Sequence, residues 1–425
     1  MVRASMPRWR LGLSCTATGF SVLFANVLFC AALGVLVSAR TVVSMPQAAS
    51  GVLTGIDVLE AERFAPLAGK RIGLITNQTG IDRNRHSTID LLAHASGVKL
   101  VALFSPEHGI RGTADERVAS TTDEATGLPI YSLYGEALRP TDAMLQGLDT
   151  LVFDIQDAGV RFYTYITTMG YTMEAAAQHH LAFYVLDRPD PLGGERIEGP
   201  MLDRERTSFT AYFPMPVRIA MTLGEMATMF NAENHIGCEL HVIRMRNWRR
   251  ADWFDQTVLP WVSPSPNLRS LSAGALYPGL EILQAAGVSV GRGTDKPLER
   301  LGAPWIHAEE FVAYMNRRAV PGVRFAADRF IPDSGLYKGQ QCEGARLQVT
   351  DHASFQAMRM GMEIAAALWK LYPAKFEVAK MIELLGNAKT IELLQAGDAP
   401  GAIVASWEPD VAAFRKIRAK YILYR

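Results

Sequence analysis

An α/β fold with a parallel sheet is predicted for this sequence from about Gly51 onward. Short apolar runs typical of buried strands alternate with segments whose apolar residues recur at helical spacing. Strands separated by helices of this length form βαβ units, which place the strands side by side and parallel. In addition, each predicted strand is followed directly by a cluster of polar residues. Ligands bind beyond the carboxyl ends of such strands, so these clusters indicate a site.

Four strands and two helices are predicted in the first half of the chain. The strands are the apolar runs at 71–76, 99–104, 150–154 and 182–186. Ser87 is a suitable N-cap for a helix that continues through Ala95, because its hydroxyl can accept a hydrogen bond from the first turn. A second helix is predicted for 167–179, between the third and fourth strands.

A Pro-rich passage at 213–216 marks a predicted domain boundary. The predicted parts are a leader and linker at 1–50, a catalytic domain at 51–214, and a C-terminal α/β domain with substrate loops at 215–425. Helices of that last domain are predicted at 223–231, 354–371 and 375–385, and strands at 239–245 and 345–350. The region 261–305 is predicted to be a long loop, and a loop of that length is usually functional.

The composition excludes some classes of function. Apolar residues make up 49% of the chain, which is ample for a packed core. Lys plus Arg and Asp plus Glu both number 43, whereas a nucleic-acid-binding protein would show a basic excess, so no nucleic-acid partner is expected. Outside the leader the cysteines are Cys238 and Cys342, which either pair or stay free. No Cys/His spacing resembles a zinc site, and neither a metal nor another cofactor is expected.

The N-terminus has the pattern of an export signal. Arg3, Arg8 and Arg10 precede an uncharged run at 11–39 that ends in Val37-Ser38-Ala39, a sequence suited to cleavage. The run exceeds the roughly 7–15 residues of a signal core, and an uncleaved anchor helix needs about 20 apolar residues. We therefore expect an exported protein, periplasmic or extracellular. A cleaved signal is favoured over an anchor that would hold the protein at the membrane.

Glu107 is the first candidate for chemistry. It follows Pro106 at the end of the second predicted strand and precedes His108. A carboxyl group held in such a turn and partly withdrawn from water can retain its proton and act as a general acid. The alternative is an ordinary loop glutamate in a salt bridge. The position at the carboxyl edge of the sheet favours the catalytic interpretation.

The densest polar and aromatic cluster follows the third strand, and consists of Asp154, Gln156, Asp157, Arg161, Tyr163 and Tyr165. Carboxylates and aromatic faces suit a pyranose, whose hydroxyls need directional acceptors and whose apolar face stacks on rings. Arg161 could bind a substrate carboxylate through two parallel hydrogen bonds. Alternatively, Asp157 and Arg161 pair with each other and the tyrosines fill the core. At the next strand end, Asp187 and Arg188 either support the site and bind an anion or form a structural pair.

A match to the G-x-S-x-G pattern occurs at 287–291, and Asp295 and His307 follow Ser289 in the order found in α/β-hydrolases. A serine hydrolase built on these three residues is therefore an alternative function. A nucleophile elbow needs a strand before the serine and a helix after it, and the sequence favours neither. A glycine-rich substrate loop fits this segment better.

Seven segments carry a resemblance when they are taken in order along the chain. They are Thr76-Asn77-Gln78-Thr79-Gly80, Ser105-Pro106-Glu107-His108-Gly109, Asp154-Ile155-Gln156-Asp157, Arg161-Phe162-Tyr163-Thr164-Tyr165, Asp187-Arg188-Pro189, Pro264-Ser265-Pro266-Asn267 and Gly291-Arg292-Gly293-Thr294. Together they resemble the NamZ-type exo-β-N-acetylmuramidases, and their order is highly specific. The resemblance implies a Rossmann-like parallel-sheet N-terminal domain, a second α/β domain, and an active site in the cleft between them.

The resemblance also implies an exo-acting glycoside hydrolase that releases β-linked N-acetylmuramic acid from non-reducing ends of peptidoglycan fragments. Glu107 matches the family's candidate catalytic glutamate. The charge that develops on the departing sugar would be met by Asp157 or by the sugar's own 2-acetamido group, both recognised routes. The expected partners are peptidoglycan-derived sugars or muropeptides. A non-catalytic module that binds muropeptides is a further alternative.

The predicted site therefore has two groups of residues. The catalytic candidates are Glu107, Asp157 and His108. The substrate-binding candidates are Asn77, Asp154, Gln156, Arg161, Tyr163, Asp187, Arg188, Asn267 and Arg292. Arg161 and Arg292 are the two candidates for binding the lactyl carboxylate that distinguishes N-acetylmuramic acid from N-acetylglucosamine.

Overall fold

A seven-stranded sheet forms the N-terminal half of the computed structural model, which describes residues 51–114 and 118–425. The predicted leader at 1–50 lies outside the described residues. The strands of this sheet are β1 (Arg71–Thr76), β2 (Lys99–Ser105), β3 (Thr121–Thr122), β4 (Pro129–Ser132), β5 (Thr150–Asp154), β6 (Ala182–Leu186) and β7 (Glu239–Ile243).

The strand order is β3-β4-β2-β1-β5-β6-β7, and every neighbouring pair is parallel except the edge pair β3–β4. The six parallel strands thus follow the order 3-2-1-4-5-6 of a Rossmann fold, which confirms the predicted fold class. The order reverses between β1 and β5, and ligands of such sheets bind at the carboxyl ends of the strands beside this reversal. The fold therefore directs attention to the loops after β1, β2 and β5.

Twelve α-helices flank or follow the sheets among the described residues. They are α1 (Gly55–Ala61), α2 (Thr88–His94), α3 (Asp142–Leu145), α4 (Tyr165–Gln178), α5 (Leu223–Glu233), α6 (Leu271–Gln284), α7 (Ala308–Arg318), α8 (Ala357–Leu371), α9 (Ile382–Leu385), α10 (Ala388–Ala396), α11 (Pro400–Ser406) and α12 (Glu408–Arg418). Short 3₁₀ helices lie at Ala65–Leu67, Arg204–Arg206, Phe254–Gln256 and Val378–Met381. No helix in this part of the chain is both long enough and apolar enough to cross a bilayer.

Both faces of the large sheet are covered, as its strand sequences require. Along β5, Leu151 and Phe153 pack into one core and Val152 packs into another, because successive side chains point to opposite faces. Helices α1 and α2 cover the Val152 face, and α4 and α5 cover the Phe153 face. This double burial explains why the predicted strands are continuous apolar runs.

The first-half predictions agree closely with the structure. The bounds of β1, β5 and β6 are those predicted, and β2 is one residue longer. Ser87 is the N-cap of α2, where its hydroxyl accepts from the N–H of Ile89. The large sheet continues beyond 214 to β7, so its last strand comes from the segment predicted as the C-terminal domain.

The prediction of a long loop at 261–305 is wrong. This region contains the fourteen-residue helix α6 and the strand β8 (Arg300–Ala303), which joins β9 (Val323–Phe330) and β10 (Cys342–Val349) in a three-stranded antiparallel sheet. Gly274, Pro278 and Gly279 lower the intrinsic helix propensity of α6, but almost all of the helix is buried. Tertiary packing therefore overrides the local preference.

Helix α6 packs very closely against α8. A methyl group added at Gly279 would lie 2.1 Å from the carbonyl oxygen of Ala357, and one at Gly361 would lie 2.6 Å from the carbonyl oxygen of Gly279. Only residues without a side chain allow the two backbones to approach this far. The same glycines that made this segment look non-helical in the sequence are therefore needed for α6 to pack against α8.

Cys238 and Cys342, which the sequence left either paired or free, are both buried free thiols.

Candidate active site

A cavity of about 310 Å³ lies at the carboxyl edge of the large sheet. Its lining residues come from the loop after β2, the start of α4, helix α6 and the loops beside that helix. Its lining residues include Glu107, His108, Tyr134, Phe162, Tyr163, Thr164, Phe209, Ser265, Tyr277, Glu281 and Arg292. Four of the predicted site residues are among them: Glu107, His108, Tyr163 and Arg292.

Glu107 is partly buried, and a neighbouring helix end holds its carboxylate in place. The hydroxyl of Thr164 donates a 2.5 Å hydrogen bond to Oε2 of Glu107. Thr164 is the N-cap residue of α4, yet its side chain makes no capping hydrogen bond. A threonine at this position would normally accept from a free N–H group of the first turn. Here its hydroxyl donates to the carboxylate, which leaves Oε1 as the oxygen available to a substrate.

His108 adjoins Glu107 in a left-handed backbone conformation, with a φ of 70°. Such a conformation is uncommon in a residue with a side chain and has an energetic cost, and residues of this kind cluster at functional sites. Nδ1 of His108 lies 2.7 Å from the carbonyl oxygen of Ala114. A carbonyl oxygen can only accept, so Nδ1 carries a proton and the ring orientation is fixed.

Tyr163 lines the cavity and packs among other aromatic rings. Its ring centroid lies 4.7 Å from that of Tyr165 and 6.0 Å from that of Tyr277, with the rings edge to face in both pairs. Burial raises the pKa of Tyr163 and of Tyr277 well above the usual tyrosine value, so both hydroxyls stay protonated. Tyr163 thus combines the two proposed roles, because it both fills the core and lines the cavity.

Tyr165, next to the cavity-lining Thr164, connects two loops of the site through its hydroxyl. Its hydroxyl accepts a 2.9 Å hydrogen bond from the side-chain amide of Asn77 and donates a 2.7 Å bond to the carbonyl oxygen of Pro264. Asn77 follows β1, and Pro264 belongs to the loop that contains Ser265 and Asn267. Asn77 therefore supports the site through Tyr165 and is not among the cavity-lining residues. Asn267 is buried and does not line the cavity either.

Asp157 is almost fully buried and is not among the residues that line the cavity. Its Oδ2 accepts a 2.7 Å hydrogen bond from the N–H of Gly159, and its Oδ1 has no partner among the described residues. Loss of hydration raises the pKa of Asp157 to about 7, and the nearby charge of Asp190 adds to this shift. Its burial therefore does not favour Asp157 as the second catalytic carboxylate.

The remaining predicted polar residues form structural contacts at the strand ends. Asp154 and Arg188 make a buried two-point ion pair, with N–O distances of 2.6 and 2.8 Å. Asp187 instead accepts from the N–H of Gly224 at 2.8 Å and from the hydroxyls of Thr222 and Tyr424. Asp187 and Arg188 therefore do not pair with each other. Arg188, which follows β6, pairs instead with Asp154 at the end of the neighbouring strand β5.

Gln156 connects the same two strand ends through the main chain. Its side-chain amide donates to the carbonyl oxygens of Asp157 and Pro189, at 3.0 and 2.8 Å. Gln156, like Asp154, Asp187 and Arg188, does not line the cavity. These four residues fix the backbone of the loops that carry the site.

The structure does not bring Arg161 to the cavity, in contrast to the prediction that it binds a substrate carboxylate. Its guanidinium donates to four backbone carbonyl oxygens, those of Pro200, Met215, Leu384 and Leu385. Only 1% of its surface is exposed, and burial lowers its pKa. The alternative pair with Asp157 is not formed either. Arg161 instead connects the start of α4 to the C-terminal helices.

Glu281 is the charged lining residue that the sequence did not predict. It lies on α6, one turn after Tyr277, and its Oε1 accepts a 2.7 Å hydrogen bond from Arg292. Its Oε2 is buried and has no hydrogen-bond partner among the described residues. One signal was present in the sequence: Glu281 is the only charged residue between Arg269 and Arg292. A lone charge within an apolar segment calls for a partner or a function.

The three residues of the alternative serine hydrolase are not assembled. Ser289 is buried, and its hydroxyl accepts from the N–H of Gly291 at 3.3 Å. Asp295 pairs with Arg300 at 3.2 Å, and His307 lies exposed at the start of α7, where its N–H binds Tyr372. Ser289 follows helix α6 and not a strand, so the elbow geometry is absent from this described segment.

One group of three carboxylates in the described residues is close enough together to coordinate a metal ion. Oxygen atoms of Asp57, Glu60 and Asp82 lie within 4.8 Å of one another. Asp57 already caps α1 through Thr54, and Asp82 binds His86 and the loop backbone. None of the three lines the cavity.

Comparisons with known proteins agree with the fold and the site. Models of the family described as Exo-beta-N-acetylmuramidase NamZ match residues 72–272 (its N-terminal part) and 275–424 (its C-terminal part). The peptidoglycan beta-N-acetylmuramidase NamZ of Bacillus subtilis (strain 168) is 43% identical over 378 residues, which cover 88% of this chain and 91% of that protein.

Two crystal structures of DUF1343 family proteins from Bacteroides fragilis share the fold. One has a TM-score of 0.82 and 37% identity, the other 0.73 and 29%, and each match covers 88% of this chain and 99% of the other. The ordered motifs, the Rossmann strand order and these matches agree. The chain belongs to the exo-β-N-acetylmuramidase NamZ family and is, as predicted, a glycoside hydrolase.

Proposed function

We propose that this protein removes β-linked N-acetylmuramic acid, one residue at a time, from the non-reducing ends of peptidoglycan fragments, with Glu107 as the general acid. The observation that carries the proposal is the placement of Glu107. Its carboxyl group lies in a cavity at the carboxyl edge of the sheet, and Thr164 holds one of its oxygens. A positioned acid of this kind donates its proton to the glycosidic oxygen as the bond to the anomeric carbon breaks.

The size of the cavity supports action at a chain end. Small-molecule sites have volumes of about 300–1,000 Å³, and this cavity, at about 310 Å³, lies at the lower limit. Such a volume suits one terminal sugar with its substituents better than a run of several sugars. Tyr163, Tyr277 and Phe162 supply aromatic surface for the apolar face of a pyranose.

Arg292 is the residue that we propose binds the lactyl carboxylate. It lines the cavity, about a third of its side chain is exposed, and a 2.7 Å hydrogen bond to Glu281 fixes its guanidinium. A guanidinium can bind a carboxylate through two parallel hydrogen bonds, which gives orientation as well as affinity. Among the other predicted substrate-binding residues, Tyr163 lines the cavity itself. Six more contribute indirectly, by holding the loops on which the contacting residues lie: Asn77, Asp154, Gln156, Arg161, Asp187 and Arg188.

Export to the periplasm or the extracellular space remains our proposal for the location of the protein. It rests on the basic residues and the apolar run at 11–39, and on a substrate that lies outside the cytoplasmic membrane. Cell fractionation with N-terminal sequencing of the mature protein tests it. A new N-terminus near residue 40 is expected for a cleaved signal, whereas an intact N-terminus in the membrane fraction would indicate an anchor.

The direct test of the activity uses a chromogenic aryl β-N-acetylmuraminide and a natural disaccharide with N-acetylmuramic acid at its non-reducing end. We expect release of free N-acetylmuramic acid from both. Internal cleavage of long glycan strands would contradict the exo-acting mode. Tight binding of the disaccharide without turnover would instead favour the muropeptide-binding module.

A further inference from the structure

The cavity holds two carboxylates among the described residues, Glu107 and Glu281. A glycosidase of this kind needs either a second carboxylate or the substrate's own acetamido group to meet the charge on the sugar. Asp157, the candidate taken from the sequence, is buried outside the lining. Glu281 therefore occupies the position in which a second acidic group can touch the substrate.

The two carboxylates have different surroundings, and this difference separates their roles. Glu281 is ion-paired with Arg292 at 2.7 Å, so a guanidinium compensates its negative charge. Glu107 contacts a neutral hydroxyl, that of Thr164. Two carboxyl groups in unlike environments are the usual arrangement of an acid and an ionised partner in one site. Glu107 is thus suited to be the proton donor and Glu281 to be the anion.

The second oxygen of Glu281 indicates what the anion does. Oε2 is buried without a hydrogen-bond partner among the described residues, although it belongs to a residue that lines the cavity. A buried acceptor without a donor is costly and calls for an explanation. A donor supplied by the substrate would provide one, through a small rotation of the side chain.

The order of substituents around the sugar identifies this donor. Glu107 acts at C1, and Arg292, under the proposed function, binds the lactyl group on C3. The carbon between these two is C2, which carries the acetamido group. Glu281 is in direct contact with Arg292 and shares the cavity with Glu107, so the N–H of the acetamido group is the substrate donor best placed for its Oε2.

We propose that Glu281 accepts the N–H of the 2-acetamido group and turns the acetamido oxygen toward the anomeric carbon. This inference rests on the proposed function. Glu107 gives its proton to the leaving oxygen while the bond from C1 to that oxygen breaks. The acetamido oxygen forms a bond to C1, and Glu281 holds the N–H of the resulting oxazolinium cation. Water then attacks C1 and gives a proton to Glu107 while the bond between C1 and the acetamido oxygen breaks. This regenerates the neutral acetamido group and leaves the β configuration retained.

The test compares the wild-type protein with Glu281→Gln and Glu281→Ala on aryl N-acetylmuraminides whose acetyl group carries none or three fluorine atoms. Fluorine withdraws electrons and weakens the acetamido oxygen as a nucleophile. The wild-type kcat should therefore be about tenfold or more lower on the trifluorinated substrate than on the unfluorinated one, which corresponds to about 1.4 kcal/mol or more in the barrier. Glu281→Gln should lower kcat on the unfluorinated substrate by about 10²–10³, the usual effect of losing one group that stabilises developing charge. KM should change much less than kcat.

Glu363→Gln is the matched control, because Glu363 is equally buried and paired with Arg318 and Arg359 but lies outside this cavity. It should lower the melting temperature without altering kcat or the response to fluorine. A wild-type rate that is insensitive to fluorine would overturn the inference. So would formation of the α-glycosyl azide by Glu281→Ala in added azide, because azide would then replace Glu281 as the nucleophile at C1.

A second measurement does not depend on turnover. A thiazoline analogue of N-acetylmuramic acid, which mimics the oxazolinium ion, should bind the wild type tightly and Glu281→Gln about 10²-fold more weakly in calorimetry. Equal affinity for both would overturn the role of Glu281. If the wild type hydrolyses no β-N-acetylmuraminide at all, the proposed function fails, and this inference fails with it. If the wild type and the Glu281 variants hydrolyse the substrate equally well, only this inference fails.

Discussion

Thr164 donates its hydroxyl to Oε2 of Glu107 at 2.5 Å, although Thr164 lies at the position where its side chain would normally cap α4. The helix thus loses a capping bond, and the carboxylate gains a fixed orientation. The cost of a lost cap is typically about 1 kcal/mol. The start of α4 therefore gives up some helix stability, and in return its threonine orients the carboxyl group of Glu107.

Replacement of Glu107 by Gln tests the acid directly. The substitution keeps the shape of the side chain and removes its proton, so kcat on a natural disaccharide should fall by about 10²–10⁴. Aryl glycosides with good leaving groups need less protonation and should lose less. Rates measured across a series of leaving groups check both statements. Near-full activity of Glu107→Gln on the disaccharide would remove Glu107 from the mechanism.

Thr164→Val removes the hydroxyl that orients Glu107 and keeps the size of the side chain. A hydrogen bond to a charged group is worth about 1.5–3 kcal/mol, so kcat should fall by roughly tenfold or more. Thr168→Val is the matched control on the same helix, because the buried hydroxyl of Thr168 has no partner among the described residues. Equal rates for the two variants would show that Thr164 does not position the acid.

The buried carboxyl group of Asp157 should make stability depend on pH. Its pKa is about 7 in the native state, against an ordinary value of 3.8, because it has lost its hydration. Between about pH 4 and pH 7 the native state keeps a proton that the unfolded state releases, so the free energy of unfolding falls as the pH rises. Above pH 7 the loss is complete and the curve becomes level with respect to this group.

Asp157→Asn removes this loss, so its melting temperature relative to the wild type should rise as the pH increases from 5 to 8. Between pH 5 and pH 7 the two states differ by about one proton, which corresponds to roughly 2–3 kcal/mol. A change of about 2–4 °C is therefore expected, because the melting temperature of a chain of this length shifts by only about 1–1.5 °C per kcal/mol. Asp190, whose pKa burial raises to about 6, stays in place, so the variant should keep part of the pH dependence. A difference that stays constant between pH 5 and pH 8 would contradict the shift.

The sequence predicted the bounds of the parallel strands well, but it did not predict helix α6 or the side chain that this helix places in the cavity. Strands buried on both faces are continuous apolar runs, which are visible in the sequence, and Ser87 marks a helix start by its own chemistry. Helix α6 was missed because its glycines and proline are explained only by the approach of α8. Glu281 was missed together with that helix.

Arg161 and Asp157 show a second limit of the sequence. Both lie in the densest polar cluster, and their residue types suit a sugar site. Whether a guanidinium faces a cavity or binds backbone carbonyls from segments far along the chain depends on tertiary packing, which no local pattern records. The edge of the sheet was predicted correctly, whereas the sequence placed the side chains of Arg161 and Asp157 in a cavity that they do not line.

The contact between α6 and α8 gives a prediction for stability. A methyl group at Gly279 would lie 2.1 Å from a backbone oxygen of α8, so Gly279→Ala should destabilise the protein by about 1–3 kcal/mol. Activity should also fall, because α6 carries Tyr277 and Glu281 into the cavity. Thermal unfolding and kcat measured on the same preparation check both effects.

Gly274→Ala is the control on the same helix. The nearest atom to an added methyl group there belongs to Trp261, at an ordinary contact distance of 3.7 Å. Alanine has a higher helix propensity than glycine, so this variant should be neutral or more stable by up to about 1 kcal/mol. Similar destabilisation by both substitutions would mean that the helix itself, and not its close approach to α8, is sensitive to change.

The last prediction separates the two arginines that the sequence proposed for the lactyl carboxylate. Arg292 lines the cavity, whereas the guanidinium of Arg161 is occupied by four carbonyl oxygens. Arg292→Met should therefore reduce the preference for N-acetylmuramic acid over N-acetylglucosamine substrates. A charge-assisted bond to a carboxylate is worth about 1.5–3 kcal/mol, which corresponds to roughly one to two powers of ten in the ratio of kcat/KM.

Arg161→Met should give the opposite pattern. It leaves buried carbonyl oxygens without donors, which costs about 1–3 kcal/mol for each group left unpaired, so the melting temperature should fall markedly. The ratio of kcat/KM for the two sugars should stay unchanged, because the guanidinium does not reach the substrate. Kinetics on both aryl glycosides, with unfolding curves for each variant, distinguish the two roles. A changed ratio for Arg161→Met and an unchanged one for Arg292→Met would reverse the assignment, since the lactyl group would then be bound through the segment that Arg161 holds.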